Sequence, residues 1–205
     1  MTELRSPRAA PGRVFNTRNN LPAATRVQVS ALLNLRLSDA IDLDTQTRHA
    51  HWNVKGPHFS SLRLLFNEVY EAVEVYVDLL AERIVQLGGV AAGTARMTAL
   101  HSTLSEYPHD MVGGIEHVNA LAAALAQFGA HMRTTNTEVI GLRDQDTADM
   151  CTEISRGVDK HLWLVEAHTQ SRANGQRSSA ANGRRIAEVA PRPPHNSLPA
   201  PSGQD

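Results

Sequence analysis

The stretch HFSSLRLLFNEVYEAVEVYVDLLAERIVQLGG, residues 58–89, carries the clearest structural signal in the chain. It contains no glycine or proline before Gly88-Gly89, and glycine at that position is a frequent end signal for a helix. A helix of this length reaches about 45 Å and needs neighbouring elements to cover its apolar side. The stretch therefore predicts one long member of a helical bundle.

Runs of the same character lie on both sides of it. The run before it lacks glycine and proline and stops at Gly56-Pro57. The run after it repeats apolar residues at spacings of three, four or seven, which is typical of one helix face. The last run begins in DQDTADM, where Asp146 is the predicted cap. The predicted long helices are 24–54, 58–87, 110–141 and 146–172, with room for a short helix within 90–108.

No part of the chain shows the alternation typical of β-strands. Four long helices with a short one between the second and third predict an all-α fold, a four-helix bundle. Such bundles often hold metals through inward-facing carboxylates and histidines. No apolar run approaches the ~18 residues that a membrane span needs, and the single cysteine, Cys151, has no internal disulfide partner. These features favour a cytoplasmic protein in a reducing compartment.

Charge is distributed unevenly along a chain whose net charge is only −1. Residues 1–26 and 172–205 each carry five Arg against one and two acidic residues, while residues 27–171 carry ten basic and eighteen acidic ones. Both terminal segments are rich in residues that cannot bury a core, which predicts a disordered basic arm over 1–23 and a disordered tail over 173–205. Solvated tails and contact with nucleic acid are both consistent with this composition.

Polar side chains form a stripe along the second predicted helix. Such a stripe is typical of an ordinary solvent-facing surface, but it also offers metal ligands. Nineteen residues separate its ends, which is about 28 Å of helix, so the two ends cannot touch one ion. If His51 and the start of this helix share an ion with Asp78 and Glu82, the two halves must come from different chains related by a twofold axis. The stripe consists of Arg63, Asn67, Glu71, Glu74, Asp78 and Glu82.

Five motifs together resemble those of the Dps family, the miniferritins that protect DNA in starved bacteria. They are HWNVKGPHF (51–59), LFNEVYEAV (65–73), DLLAERIVQLGG (78–89), SEYP (105–108) and DTADMCTEISRGVDKHLWLVEAH (146–168). The resemblance covers residues 24–172. It implies a ferritin-like bundle and a hollow shell of twelve subunits joined by twofold and threefold contacts. It further implies that ferrous iron is oxidised by hydrogen peroxide between two subunits, and that ferric mineral is stored inside.

The resemblance also assigns the candidate site. It implies His51, Asp78 and Glu82 as metal ligands, with Trp52 beside them. Arg63 stands where the family usually has His, and Asn67 where it usually has Asp. A guanidinium offers no lone pair to an ion, while Asn67 keeps an oxygen without the charge. Three outcomes stay open: a site closed by Arg63 as counter-ion, a single retained metal position, or substitution by nearby His49 or His58.

Two further sets of residues follow from the resemblance and from charge. Acidic residues near the start of the last helix line threefold pores for ferrous iron in the family, which makes Asp144, Asp146 and Asp149 pore candidates.

The acidic body repels DNA phosphates, so sequence-independent DNA binding would depend on the arms. The alternative function is a shell with little ferroxidase activity that mainly binds and compacts DNA, or that binds another divalent metal. DNA binding would associate the protein with the nucleoid. The candidates for DNA contact are Arg5, Arg8, Arg13, Arg18, Arg177, Arg184 and Arg185.

Overall fold

The computed structural model describes residues 14–187, with side chains described for residues 14–170. Within that range all regular elements are α-helices, and no β-strand is present. The prediction of an all-α bundle with a short helix between the second and third long helices is confirmed. The helices are α1 (Ala23–Asn53), α2 (Phe59–Gln86), α3 (Ala95–His101), α4 (Gly114–Gly141) and α5 (Gln145–Ala187).

One mainly aliphatic core joins the four long helices. The apolar face predicted for the third run lies inside it, with Leu121 and Phe128 fully buried on α4. Cys151 is also buried, and burial raises the pKa of its thiol to about 12. The polar stripe of α2 lies outside the core, because the apolar residues on the opposite side of α2 pack into the core. The largest core side chains include Leu33, Leu37, Leu43, Phe66, Leu80, Ile84, Leu121, Leu125, Phe128 and Met132.

Residues 14–22 lie against the end of α2, which differs from the prediction of a disordered arm up to residue 23. The amide of Phe15 donates to the carbonyl of Gly88 at 2.7 Å, and the Arg26 guanidinium donates to the carbonyl of Leu87 at 3.1 Å. Gly88 has φ +83, and a Cβ there would stand 2.5 Å from the Phe15 carbonyl oxygen. The glycine thus ends α2 and admits the incoming segment. Residues 1–13 lie outside the described range.

The start of α5 is capped by Asp144, not by the predicted Asp146. Asp144 Oδ1 accepts the Thr147 amide at 3.1 Å and the Arg83 guanidinium at 2.7 Å. The carboxylate is buried, with 1% of the side chain exposed, whereas Asp146 is 87% exposed. Asp144 caps α5 because its buried carboxylate also balances the charge of Arg83 on α2.

The last helix also ends later than predicted. The compact unit that contains the bundle ends at Thr169, whereas α5 continues to Ala187. No proline occurs between Pro108 and Pro191, so nothing in this stretch forces the helix to stop. The described helix therefore runs fifteen residues beyond the predicted end at residue 172, and residues 188–205 lie outside the described range.

A buried aspartate fixes the segment between α3 and α4 to α1. Asp39 is fully buried and accepts the Thr103 amide at 2.7 Å. Its second oxygen lies 3.2 Å from the Arg36 guanidinium and 3.0 Å from His131 Nδ1. A buried carboxylate with this many partners is satisfied, so the cluster holds the connection in place as part of the fold.

Two buried histidines make stability depend on pH. Burial lowers the pKa of His117 on α4 and of His161 on α5. Below the unfolded value of about 6.5 the unfolded chain therefore binds more protons than the folded protein, and stability falls as the pH drops. We expect the free energy of unfolding, measured with denaturant at fixed protein concentration, to be lower at pH 5 than at pH 7.5.

The matched control for this pH prediction is His58→Gln, because His58 is exposed. The variants His117→Asn and His161→Asn should each reduce the difference between the two pH values, while His58→Gln should not. An equal pH dependence in all four proteins would contradict the prediction.

Candidate functional site

The candidate site begins where α1 turns into α2. Gly56 and His58 adopt left-handed backbone angles, φ +90 and +67, and reverse the chain. This turn brings His51 Nδ1 to 3.0 Å from the carbonyl oxygen of Arg63. A carbonyl only accepts, so Nδ1 carries the hydrogen and Nε2 keeps its lone pair. His51 is thus held in the tautomer that a metal ligand requires.

The side chains around His51 are open to solvent in the single chain. Trp52 is 71% exposed, and Arg63 is exposed as well. The Arg63 guanidinium has no acceptor among residues 14–170. Its charge is therefore free to pair with carboxylates that another chain presents.

The predicted acidic ligands lie further along α2. Asp78 and Glu82 are one helical turn apart and both exposed, and neither has a partner in the part of the chain whose side chains are described. Arg63 and Asp78 are separated by fifteen residues, which is about 22 Å of helix. The structure therefore does not bring His51 together with these carboxylates inside one chain.

Metal binding by one chain alone finds no support. Among the described residues, no group of three His, Cys, Asp or Glu side chains is placed to hold an ion. The joint site, to which each of two chains contributes part of the ligands, stays a prediction. Asp78 and Glu82 would supply two carboxylates and His51 one nitrogen, which is a donor set that suits ferrous iron as substrate.

The side-chain amide of Asn67 uses only its nitrogen for hydrogen bonding. Its Nδ2 donates to Glu71 Oε1 at 2.7 Å, which leaves the amide oxygen available. Next to it, the Arg48 guanidinium lies 3.9 Å from the centre of the Tyr70 ring and 3.5 Å from Glu74 Oε1. The middle of the stripe is thus an internally bonded surface, and Asn67 could add one neutral oxygen ligand.

The three pore candidates separate into two kinds. Asp144 is buried and bound to Arg83, so it caps α5 and does not face solvent within this chain. Asp146 is 87% exposed, and the exposed Asp149 accepts Gln145 Nε2 at 3.2 Å. The pore prediction is accordingly kept for Asp146 and Asp149, and Asp144 is corrected to a structural role.

Sequence reasoning missed a buried pair beside α1. Tyr107 Oη lies 2.7 Å from His117 Nδ1, and the His49 ring meets the Tyr107 ring edge-on at 5.2 Å between centroids. The motif SEYP marked Tyr107 as part of a pattern, but no spacing rule connects it with His117. His117 and His131 share no site, since each has its own partner, Tyr107 and Asp39.

Comparison with known proteins identifies the family. The ferritin-like domain matches residues 30–173. The DNA protection during starvation protein of Agrobacterium fabrum is 34% identical over 161 residues, which cover 78% of this chain and 99% of that protein. The chain belongs to the Dps family. DpsC from Streptomyces coelicolor has a TM-score of 0.74 at 25% identity, and Dps from Mycobacterium smegmatis one of 0.72 at 28%. These matches cover 78% and 76% of this chain and 94% of each neighbour.

Within this Dps chain the arms remain the candidates for DNA contact. Arg18 is exposed at the start of the described range. Arg5, Arg8 and Arg13 lie outside it, and Arg177, Arg184 and Arg185 lie on the part of α5 whose side chains are not described. No helix in the described residues is long and apolar enough to cross a membrane.

Proposed function

We propose that this Dps protein is a cytoplasmic, nucleoid-associated miniferritin that assembles into a hollow homododecamer. It takes up ferrous iron, oxidises it with hydrogen peroxide, stores the ferric product and protects DNA. The observation that carries this proposal is the pair of exposed, unpartnered carboxylates of Asp78 and Glu82 on adjacent turns of α2. Such a pair can bind a cation, and the available nitrogen of a partner's His51 would add a further ligand.

The surface around these carboxylates supports burial against a second chain. Leu64 and Val75 are 69% and 55% exposed, and they lie on the same side of α2 as Glu82, at multiples of a helical turn. Trp52 adds a large exposed ring at the end of α1. Apolar side chains grouped with metal-binding groups on one surface are typical of an interface. A twofold axis would then create two equivalent sites for each pair of chains.

At such a site the chain's residues have separate roles. Asp78 and Glu82 neutralise the charge of ferrous iron, and His51 Nε2 supplies a neutral ligand. Two ferrous ions each give one electron to hydrogen peroxide, which takes up two protons and becomes water. Arg63 opposes this chemistry, because its guanidinium would approach the same carboxylates from the partner and repel a dication.

The second candidate function follows from Arg63 as well. A guanidinium without an acceptor in its own chain is suited to pair with a carboxylate of another chain, and a bidentate pair would occupy the metal position. The shell would then have little ferroxidase activity and would act mainly in DNA compaction, or it would bind another divalent metal through His51 and one carboxylate.

Mixed assemblies test whether two chains form the site. His51→Ala chains and chains carrying Asp78→Ala with Glu82→Ala should each be inactive alone. After joint refolding in equal amounts, about a quarter of the sites combine an intact His51 with an intact acidic pair, so roughly a quarter of the native rate of ferrous oxidation should return. The measurement is the initial absorbance change of ferric product after peroxide addition.

The control for this experiment mixes His51→Ala chains with chains that carry Arg96→Ala at an exposed position outside the site. All chains in this mixture carry intact Asp78 and Glu82, and half of them carry an intact His51. About half of the native rate should therefore be observed. If the mixture of His51→Ala with the acidic double variant stays inactive while both proteins co-assemble, the site does not span two chains.

DNA binding is expected to depend on the arms. Replacing Arg5, Arg8 and Arg13 by Gln removes three positive charges per chain, and in a multimer the loss is multiplied, so plasmid retardation should require at least several-fold more protein. Gel shifts at two salt concentrations measure this. The matched control replaces three exposed arginines of the bundle, Arg96, Arg143 and Arg156. Equal shifts by both variants would remove the N-terminal arm as the binding element.

A further inference from the structure

A tyrosine and a histidine form a hydrogen-bonded pair inside the bundle, outside the metal ligands proposed above. Tyr107 lies in the segment between α3 and α4, and His117 lies on the first turn of α4. Only 8% of Tyr107 and none of His117 is exposed, and Tyr107 Oη is 2.7 Å from His117 Nδ1. His117 Nε2 is buried and has no hydrogen-bond partner in the described part of the chain.

The contacts fix the direction of this hydrogen bond. If Nδ1 accepts the phenolic hydrogen, Tyr107 is satisfied and only the Nε2–H of His117 lacks a partner. If Nδ1 carried the hydrogen instead, the Tyr107 hydroxyl hydrogen and the Nε2 lone pair would both be unpaired. Buried polar groups are satisfied wherever the geometry allows, so the first arrangement is favoured. Tyr107 therefore donates to a neutral imidazole that can still accept a proton.

Burial keeps the pair uncharged at rest. It raises the pKa of Tyr107 well above the ordinary value and lowers that of His117. The raised pKa of Tyr107 and the lowered pKa of His117 both keep the proton on the phenol oxygen. Loss of one electron reverses this preference, because an oxidised phenol is a much stronger acid than an imidazolium. The waiting base is His117 Nδ1, at hydrogen-bonding distance.

The pair lies next to the α1 segment that carries the candidate site. The His49 ring contacts the Tyr107 ring, and His49 precedes His51 by two residues, so their Cα atoms are about 5–6 Å apart. The α1 segment that carries His51 therefore contacts Tyr107 through His49, while the His51 side chain itself lies against the start of α2. The two other tyrosines have different surroundings: Tyr70 is bonded to Glu74, and Tyr76 lies over Gly157.

We propose that Tyr107 and His117 form a one-electron donor that reduces radicals derived from hydrogen peroxide. A hydroxyl radical takes one electron from Tyr107 and becomes hydroxide, while the O–H bond of Tyr107 breaks and its proton moves to His117 Nδ1. The products in the protein are a neutral tyrosyl radical and an imidazolium. A ferrous ion then returns the electron and becomes ferric, and the proton moves back to the phenol. The hydroxyl radical forms when a single ferrous ion, acting without a second one, gives one electron to hydrogen peroxide and releases hydroxide. This source rests on the proposed iron chemistry, whereas the donor pair itself does not.

The test uses the full chain and two ways of oxidising it. In the first, a photo-oxidised ruthenium tris-bipyridine complex removes electrons without any iron. In the second, hydrogen peroxide is added to protein loaded with ferrous iron, and ferrous consumption is followed in parallel. Freeze-quenched samples are examined by electron paramagnetic resonance for the native protein and for Tyr107→Phe, Tyr70→Phe and Tyr76→Phe, which together cover all three tyrosines of the chain.

The expected result is a tyrosyl signal that persists in Tyr70→Phe and Tyr76→Phe and falls at least fivefold in Tyr107→Phe. A measurement without mutation guards against misfolding: in native protein with ¹⁵N-labelled histidine, the radical should show a ¹⁵N coupling, because Tyr107 is the tyrosine bonded to an imidazole. A signal without that coupling, or one that survives in folded Tyr107→Phe, overturns the proposal.

The two oxidants separate this inference from the proposed function. A Tyr107 radical formed with the ruthenium oxidant supports the donor pair, and its absence overturns it. If ferrous iron is consumed by peroxide but leaves no Tyr107 radical even with iron limiting, the link between the pair and iron chemistry is overturned. If no ferrous iron is consumed at all, the proposed ferroxidase function fails, and the iron-free result alone decides on the pair.

Discussion

Combining Arg63→His with Asn67→Asp should raise the initial rate of ferrous oxidation by peroxide at least about tenfold, the lower end of what changes around metal ligands produce. The first change removes a cation that cannot bind metal and supplies an imidazole nitrogen. The second adds a negative charge to an oxygen that is already available, since Asn67 uses only its amide nitrogen on Glu71. Both changes strengthen the attraction for a dication and add ligands.

The single variants distinguish the effects of charge and of ligand. If Arg63 acts as a counter-ion, Arg63→Ala alone should already tighten binding of a redox-inert divalent ion such as Zn²⁺, measured by calorimetry. If the site mainly lacks ligands, Arg63→Ala should change little and Arg63→His should be required. Arg156→His with Asn119→Asp makes the same chemical changes at exposed positions elsewhere. A native rate equal to that of the double variant would show that Arg63 and Asn67 do not impair the site.

The helices could be predicted because their signals are local. The ends of α2 follow from Gly56-Pro57 and Gly88-Gly89, and the buried face of α4 follows from its apolar spacing. Features that depend on distant residues could not be predicted. The packing of residues 14–22 requires the Gly88 carbonyl, more than seventy residues away, and the buried position of Tyr107 requires His117 as a partner.

For the candidate site, too, only features that depend on local helix geometry could be predicted. Helix rise alone places Arg63 about 22 Å from Asp78 on the same helix, and the structure puts His51 beside Arg63. The tautomer of His51 could not be inferred, because it depends on the carbonyl of Arg63, which the turn at His58 brings into place. The sequence therefore proposes the residues, whereas the protonation and orientation of His51 required three-dimensional contacts.

Asp144→Ala is expected to destabilise the protein by about 3–5 kcal/mol, as breaking a buried ion pair does. The change leaves the largely buried Arg83, whose side chain is 11% exposed, with only the exposed Asp146 carboxylate at 3.9 Å as acidic neighbour, and it removes the cap from the Thr147 amide. Denaturant unfolding at fixed protomer concentration measures the loss. The matched control is Asp146→Ala, which removes a carboxylate two residues away that is 87% exposed and should change stability by less than about 0.5 kcal/mol.

The same two variants, together with Asp149→Ala, separate structural acids from acids that attract iron. Asp146→Ala and Asp149→Ala should slow ferrous uptake into the assembled shell at low ionic strength while unfolding stays unchanged, because exposed carboxylates act on a dication through long-range attraction that salt screens. Asp144→Ala should show the reverse, with lower stability and normal uptake in whatever fraction remains assembled. If Asp146→Ala lowered stability as much as Asp144→Ala, the capping role would belong to both residues. If neither exposed acid affected uptake, iron would have to enter the shell by a route away from the start of α5.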